Sequence, residues 1–277
     1  LSENAAFAQA CVAAGVTFVG PTAEQLTNFG DKGRARALAE ANDVPVIPGT
    51  AGATSLEEAQ DFFVALPPGA ALMIKAISGG GGRGTRVVTD LDALAATYER
   101  CSSEAQASFG DGDVYVEGLV RKARHIEVQI LGDGARVAHF GERECSVQRR
   151  YQKLLEVAPA PALDARLRTA IIDAAVRLAS AESYRSLGTF EFLVDMEAGD
   201  FFFIETNARL QVEHTVTEMV TGVDLVQAQL QIAGGSSLVD LGLEQTAVPA
   251  ARGFAIQARV NMETLTADGQ VRPSGGL

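Results

Sequence analysis

The stretch Phe203-Ile204-Glu205-Thr206-Asn207-Ala208-Arg209-Leu210-Gln211-Val212-Glu213 holds the strongest pattern in the chain. After Phe203 every second residue is polar or charged, and those between are Ile, Thr, Ala, Leu and Val. An extended backbone sends alternate side chains to opposite faces, so Glu205, Asn207, Arg209, Gln211 and Glu213 are expected to project together. Such alternation ordinarily marks a strand with one solvated face. Here it follows Phe201, Phe202 and Phe203, apolar on both faces, which predicts a buried strand that opens onto a polar site.

The preceding run, Gly188-Thr189-Phe190-Glu191-Phe192-Leu193, holds one carboxylate among apolar residues. A hairpin turning around Ala198 sets Glu191 opposite Glu205, with Cβ atoms roughly 5 Å apart. Like charges so placed repel unless a cation lies between them. Asn207 adds a third oxygen, and the set then suits a hard cation such as Mg²⁺ shared with ATP phosphates. The bland alternative is a surface pair of acids.

Outward from the hairpin, strand and helix patterns alternate, which predicts a mixed α/β or α+β architecture. Helices are expected over 4–14, 23–29 and 32–41, and a short strand over 17–19. A compact unit over 47–118 combines helices at 55–66 and 90–107 with strands at 72–76, 85–88 and 113–117. The remainder, 119–277, carries strands at 124–131, 136–140 and 253–260 and a helix at 218–233. A further helix starts at Leu163, with Leu167, Ile171, Ala174, Ala175 and Leu178 as an apolar stripe.

Two further segments carry chemistry. Ser78-Gly79-Gly80-Gly81-Gly82-Arg83-Gly84 joins two apparent strands, with Lys75 just before it. Glycines let backbone N–H groups approach a polyphosphate and form an anion nest; the alternative is a flexible linker. Glu144-Cys145-Ser146-Val147-Gln148-Arg149-Arg150-Tyr151-Gln152-Lys153, read as a loop, is dense in donors suited to phosphate- or bicarbonate-like anions. A basic run of this kind is equally a solvated face.

The chain has 277 residues, 47% hydrophobic, with a formal net charge of −12. That length allows a sizeable core in two or three subdomains. So acidic a surface argues against nucleic acid and anionic membranes as partners. Three scattered cysteines (Cys11, Cys101, Cys145) read as reduced thiols in the cytoplasm or mitochondrial matrix. No run of about 18 apolar residues occurs, so no membrane span is expected. The absence of an initial Met, and the first residues themselves, suggest a piece of a longer polypeptide without a signal peptide.

Taken together, the segments resemble the biotin carboxylase component of the biotin-dependent carboxylases, an ATP-grasp enzyme. The landmarks are GDK (Gly30 to Lys32), MIKAISGGGGRG (Met73 to Gly84), RHIEVQI (Arg124 to Ile130) and ECSVQRRYQK (Glu144 to Lys153). GTFEF, FIETNARLQVEHTVTEMVTGVDLV and QARVN follow in family order, and the landmarks together span nearly the whole chain.

The resemblance implies an ATP-grasp fold: 1–46 as the end of an N-terminal subdomain plus linker, 47–118 as a lid, and 119–277 as an incomplete central and C-terminal part. It implies that Lys32 and Lys75 contact ATP phosphates, under a lid formed by Gly79, Gly80, Gly81 and Gly82. Glu117 and the backbone through Val120 would form the adenine edge, with His125 and Gln148 near the ribose. Glu191, Glu205 and Asn207 would hold Mg²⁺ (or Mn²⁺). Glu213 would be the base that deprotonates bicarbonate. Lys153, Arg209, Gln211 and the Val212 backbone would bind bicarbonate and carboxyphosphate, and Arg259 would help hold biotin. The biotin would be carried on another domain or subunit, since Ala-Met-Lys-Met is absent here. A carboxyltransferase partner and a homo-oligomer are implied too.

The chain departs from the family pattern at Tyr151 (usually His), Gly118 (commonly Lys), His214-Thr215 (His-Pro) and Ile77-Ser78, which shorten the glycine run. Two other readings share many of the same residues. A different ATP-grasp carboxylate-amine ligase would not need the Glu213 base. A non-catalytic docking scaffold would be expected to lose metal or phosphate residues.

Overall fold

The computed structural model describes residues 1–78, 84–149, 152–267 and 271–273. Gly79, Gly80, Gly81, Gly82 and Tyr151 lie outside the described residues. Three helices open the chain: α1 (Ala5–Ala13), α2 (Ala23–Gly30) and α3 (Lys32–Ala41). Asn4, Thr22 and Asp31 cap them by accepting a first-turn N–H, and Thr22 with Gln25 completes a capping box. The strand expected at 17–19 does not form. Phe18 instead packs against the core and, edge-on, against Phe7.

Helix α4 (Leu56–Ala65), strands β1 (Leu72–Ala76) and β2 (Thr85–Val88), helix α5 (Leu94–Phe109) and strand β3 (Val114–Gly118) follow. The strands form an antiparallel sheet in the order β2-β1-β3. The alternating burial of β1 puts Leu72 and Ile74 against Ala59, Leu94 and Cys101. Lys75, at odd parity, is left for the other face.

A larger antiparallel sheet is built from β4 (Ala123–Asp133), β5 (Val137–Arg149), β6 (Gln152–Ala158), β7 (Arg185–Asp195), β8 (Phe201–Asn207) and β9 (Ala255–Ala258). Its spatial order is β8-β7-β4-β5-β6-β9. Helix α6 (Ala165–Ala181) lays Ile171, Ala174, Ala175 and Leu178 into the core that holds Ile126, Val128, Ile130, Phe190 and Phe192. Each such fully buried Ile or Leu contributes about 1.5–3 kcal/mol. Because strand side chains alternate, His125, Glu127 and Gln129 take the opposite face of β4.

Three expectations are corrected here. Residues 144–149 and 152–153 are not a loop: they end β5 and begin β6, since β5 extends to Arg149 and pairs there with Gln152. The single helix over 218–233 is two, α7 (His214–Thr221) and α8 (Leu225–Ala233), because Gly222 adopts φ 74° and closes α7. The alternation from Glu205 to Glu213 is not one strand. β8 ends at Asn207, and the chain turns through Arg209 and Gln211 into α7, with the His214 N–H donating to the Gln211 carbonyl at 3.2 Å. A short hairpin, β10 (Glu263–Leu265) with β11 (Val271–Pro273), lies beyond β9.

Candidate active site

Strand register sets the first part of the site. Across the sheet Arg143 on β5 lies opposite Glu127 on β4, Glu127 opposite Glu191 on β7, and Glu191 opposite Glu205 on β8. One row therefore carries a cation and three carboxylates, all facing away from the aromatic core. Arg143 and Glu127 are fully buried and paired, Nε to Oε1 at 2.7 Å. Burial alone would raise the Glu127 pKa, but Arg143 and Lys153 outweigh it and hold it low.

Lys153, on the next strand, is the hub. Its Nζ lies 2.5 Å from Glu127 Oε2, 2.9 Å from Glu191 Oε1 and 2.6 Å from Glu213 Oε1. Burial disfavours the ammonium, yet Glu127 and Glu191 raise its pKa well beyond the usual lysine range. Glu213 arrives from the turn before α7 and, despite its position, caps nothing with its side chain. Its carboxylate is instead drawn inward, with Oε2 2.9 Å from Arg259 Nη2. Arg259 also donates to Glu156 Oε1 at 2.5 Å.

Glu191 receives donors from four sides. Besides Lys153, Asn207 Nδ2 and Gln211 Nε2 donate to its Oε1 at 2.8 and 3.1 Å. His125 Nε2 lies 2.7 Å from Oε2, at ion-pair distance but without hydrogen-bond alignment. Burial opposes the Glu191 charge, but His125 and Lys153 hold its pKa well below the carboxylate range. Gln148 stands 2.9 Å from His125 Nδ1 and donates to the Cys145 carbonyl.

Glu205 contrasts with Glu191: it accepts no hydrogen bond from any described residue, and burial followed by the Glu191 charge pushes its pKa up. Lys32, Lys75 and His125 act against that rise. A carboxylate without a hydrogen bond, opposite a second carboxylate and beside the Asn207 amide oxygen, is a hard-oxygen donor set. It fits a divalent cation such as Mg²⁺.

Next to Glu205 lies a cleft of about 330 Å³ whose lining includes Lys32, Ile47, Tyr115, Glu117, Phe203 and Ile204. Lys32 is the first residue of α3, and burial lowers its pKa. Lys75 pairs with the buried Glu117 across β1 and β3. Val120 follows two residues past the end of β3. The cleft combines apolar residues (Ile47, Phe203, Ile204) with cations (Lys32, Arg34, Arg36), a lining suited to a nucleotide.

The fold thus brings together Lys153, Glu191, Glu213, Gln211, Arg259, His125, Gln148 and Asn207 in one connected network. Lys32 and Glu117 line the cleft, Lys75 is paired with Glu117, and Glu205 follows the lining residue Ile204. Arg209 joins the edge of this network, donating to the Asn207 side-chain oxygen at 3.1 Å and to Glu3 Oε2 at 2.8 Å. Val212 is exposed. Sequence reasoning missed Glu127, Arg143 and Glu156. A charge inside the apolar run Ile126-Glu127-Val128 was the available signal for Glu127.

Residues 31–241 match the family described as carbamoyl-phosphate synthase L chain, ATP binding domain. The chain is 53% identical over 265 residues to mitochondrial pyruvate carboxylase of Homo sapiens, covering 95% of this chain and 22% of that protein. It is 50% identical over 264 residues to pyruvate carboxylase of Schizosaccharomyces pombe, again covering 95% and 22%. It therefore spans less than a quarter of the length of these curated relatives. The biotin carboxylase domain of Hydrogenobacter thermophilus 2-oxoglutarate carboxylase, solved with MgADP, ADP and bicarbonate, superposes with a TM-score of 0.89 at 40% identity; the match covers 95% of this chain and 57% of that one. Biotin carboxylase from Campylobacter jejuni, solved in complex with an ATP ligand, gives 0.89 at 40% identity over 96% and 58%. The mixed α+β architecture is the one these ATP-grasp domains share.

Proposed function

This chain belongs to the carbamoyl-phosphate synthase L chain ATP-binding domain family, and from that premise we propose that it performs the biotin carboxylase half-reaction. The observation that carries the proposal is the double grip of Lys153 and Arg259 on Glu213, in a network that also holds Glu191, whose strand partner Glu205 directly follows the cleft residues Phe203 and Ile204. A base held between two cations can take a proton from an anion that those cations also attract.

In this reading Lys32 and Lys75 neutralise the ATP phosphates, with the backbone of Gly79, Gly80, Gly81 and Gly82 closing over them. Glu117 and the backbone through Val120 meet the adenine, and His125 with Gln148 meets the ribose. Glu191, Glu205 and Asn207 hold Mg²⁺, which when bound supplies charge neutralisation for the transferring phosphoryl group.

Lys153, Arg209, Gln211 and the Val212 N–H orient bicarbonate. Glu213 removes its proton, and the freed oxygen bonds to the γ-phosphorus as the bond to ADP breaks. The resulting carboxyphosphate splits at its carboxyl C–O bond into CO₂ and phosphate. Biotin, delivered on a separate carrier domain or subunit and oriented by Arg259, gives its ureido N–H proton to the released phosphate, and the freed nitrogen bonds to the CO₂ carbon. The buried Gln211 Oε1 has no hydrogen-bond partner among the described residues, which supports a bound ligand or water completing it.

A single-chain, multi-domain acyl-CoA carboxylase and a biotin carboxylase domain dimer among the similar structures support a carrier domain and a carboxyltransferase as partners in a homo-oligomer. The pyruvate carboxylases among the relatives support pyruvate as the first acceptor to test, and cytoplasm or mitochondrial matrix as the compartment. No helix among the described residues is long and apolar enough to cross a membrane. The test is ADP release from Mg-ATP with and without bicarbonate and free biotin. Bicarbonate-dependent, biotin-stimulated release is expected; Mg-ATP binding without it would overturn the reading.

A further inference from the structure

Arg143 is one of the largest fully buried side chains in the protein, and it touches nothing assigned a part in the reaction. Its guanidinium makes four hydrogen bonds. Nε donates to Glu127 Oε1 at 2.7 Å, and Nη1 to Gln129 Oε1 at 2.8 Å and Thr217 Oγ1 at 2.9 Å. Nη2 donates to Thr189 Oγ1 at 3.2 Å. These partners sit on β4, β7 and α7, so one cation ties three strands to the helix that Glu213 precedes.

Burying a guanidinium is costly, and a stabilising role alone is better served by apolar residues of similar volume. A cation retained here has a more specific consequence. Glu127 divides its two oxygens between Arg143 and Lys153. Lys153 in turn is shared among Glu127, Glu191 and Glu213. Without Arg143, the buried Glu127 charge would have Lys153 as its only ion-pair partner among the described residues. The ammonium would be drawn toward β4 and away from Glu213. Thr217 would lose its bond to β5, one of the contacts that tie α7 to the sheet beside the Thr215–Gln257 bond, and the restraint on the Glu213 backbone would weaken.

The geometry points to Arg143 as a positioning residue: by satisfying Glu127 and anchoring Thr217, it keeps Lys153 shared with Glu213 and both aimed at the bicarbonate site. This deepens the functional reading above and rests on it for the word bicarbonate. The claim about Lys153 geometry stands on the contacts alone.

The chain contains only four lysines (Lys32, Lys75, Lys122 and Lys153). Labelling with [¹⁵N]lysine therefore gives at most four side-chain ammonium signals, and Lys153→Arg assigns the one of interest. The test compares wild type, Arg143→Met, Arg143→Lys and Thr217→Val, each checked for a cooperative thermal transition. In Arg143→Met the Lys153 signal is expected to move while those of Lys32 and Lys122 stay. KM for bicarbonate in ADP release should rise at least about tenfold, the scale of one lost charge-assisted hydrogen bond. KM for ATP should change little, and Arg143→Lys should restore part of the loss.

A folded Arg143→Met with an unmoved Lys153 signal would overturn the inference. So would a parallel rise in both KM values, the mark of a merely structural role. If Arg143→Met does not fold, Thr217→Val decides, because it deletes only one hydroxyl. A shifted Lys153 signal with a raised bicarbonate KM upholds the inference, and neither change rejects it. If the wild type releases no ADP in response to bicarbonate, the proposed function has failed. The Lys153 signal alone then decides the positioning claim.

Discussion

Lys153 Nζ lies 2.6 Å from Glu213 Oε1, although the two residues are 60 positions apart and stand on a strand and on the turn before α7. Arg259 closes on the other oxygen of the same carboxylate at 2.9 Å. A carboxylate gripped by two cations is held in one orientation, which in the proposed reaction readies it to act as the base that takes a proton from an anion.

Replacing that base separates binding from chemistry. Glu213→Gln is expected to leave Mg-ATP affinity within about twofold and to lower bicarbonate-dependent ADP release by roughly 10²-fold or more, the usual scale of a general base. Steady-state kinetics beside a nucleotide titration checks both. Unchanged turnover would remove Glu213 from the mechanism.

Glu205 should behave in the opposite sense in the presence and absence of metal. Its pKa is pushed up by burial and by the Glu191 charge. Its folded value thus lies above its unfolded one, so the stability it allows is present below the unfolded value and lost as pH rises through the folded one. Glu205→Gln should therefore stabilise the metal-free protein progressively as pH rises above about 4.5, while weakening Mg-ATP binding. Paired melting curves across pH, with and without Mg-ATP, read out both arms. A variant that binds Mg-ATP as tightly as wild type would undo the metal assignment.

Burial pushes the Cys101 thiol up to about 11 and the Cys145 thiol well above its ordinary value. Both are fully buried, whereas Cys11 is half-buried. At pH 8 a thiol reagent should label only Cys11 in the native chain, and all three after denaturation. Because the unfolded thiols ionise first, stability should fall as pH climbs from about 9 toward 11. Mass spectrometry of labelled peptides tests the first statement. Rapid native labelling of Cys145 would contradict it.

Gly49 bridges to Glu117, where β3 borders the cleft, and a Cβ there would sit 2.6 Å from the Val116 carbonyl oxygen. Backbone must shift to admit it. Gly49→Ala is expected to cost about 1–3 kcal/mol in unfolding free energy, as overpacking does, and to weaken nucleotide binding by displacing Glu117. Chemical denaturation and an ATP titration measure the two effects; wild-type values in both would show the contact to be soft.

Where features depend on neighbours along the chain, sequence reading and structure agree. The Glu191 to Glu205 register came from counting residues on either side of Ala198, and the two residues pair as counted. The α6 stripe faces the core as its period demands. The reading failed where the chain changed direction. Alternation through Glu213 suggested one strand, but the backbone leaves the sheet after Asn207, and Glu213 reaches the site from a helix entrance. The run from Glu144 to Lys153 looked like a loop because its donors hide the strand pattern. Cross-strand pairing, with Gln148 opposite Lys153 and Arg149 opposite Gln152, is what makes them strands.

By itself, then, the sequence determined the periodicities, the carboxylate hairpin and the family motifs, because strand alternation, helical period and hairpin register act over a few residues. Only the tertiary structure decided that Arg143, Glu127, Lys153, Glu213, Arg259 and Glu156 form one network. That depends on the strand order β8-β7-β4-β5-β6-β9 and on the way α7 seats against the sheet. Buried charges must find opposite partners wherever the fold places them, and no local pattern records which partners those will be.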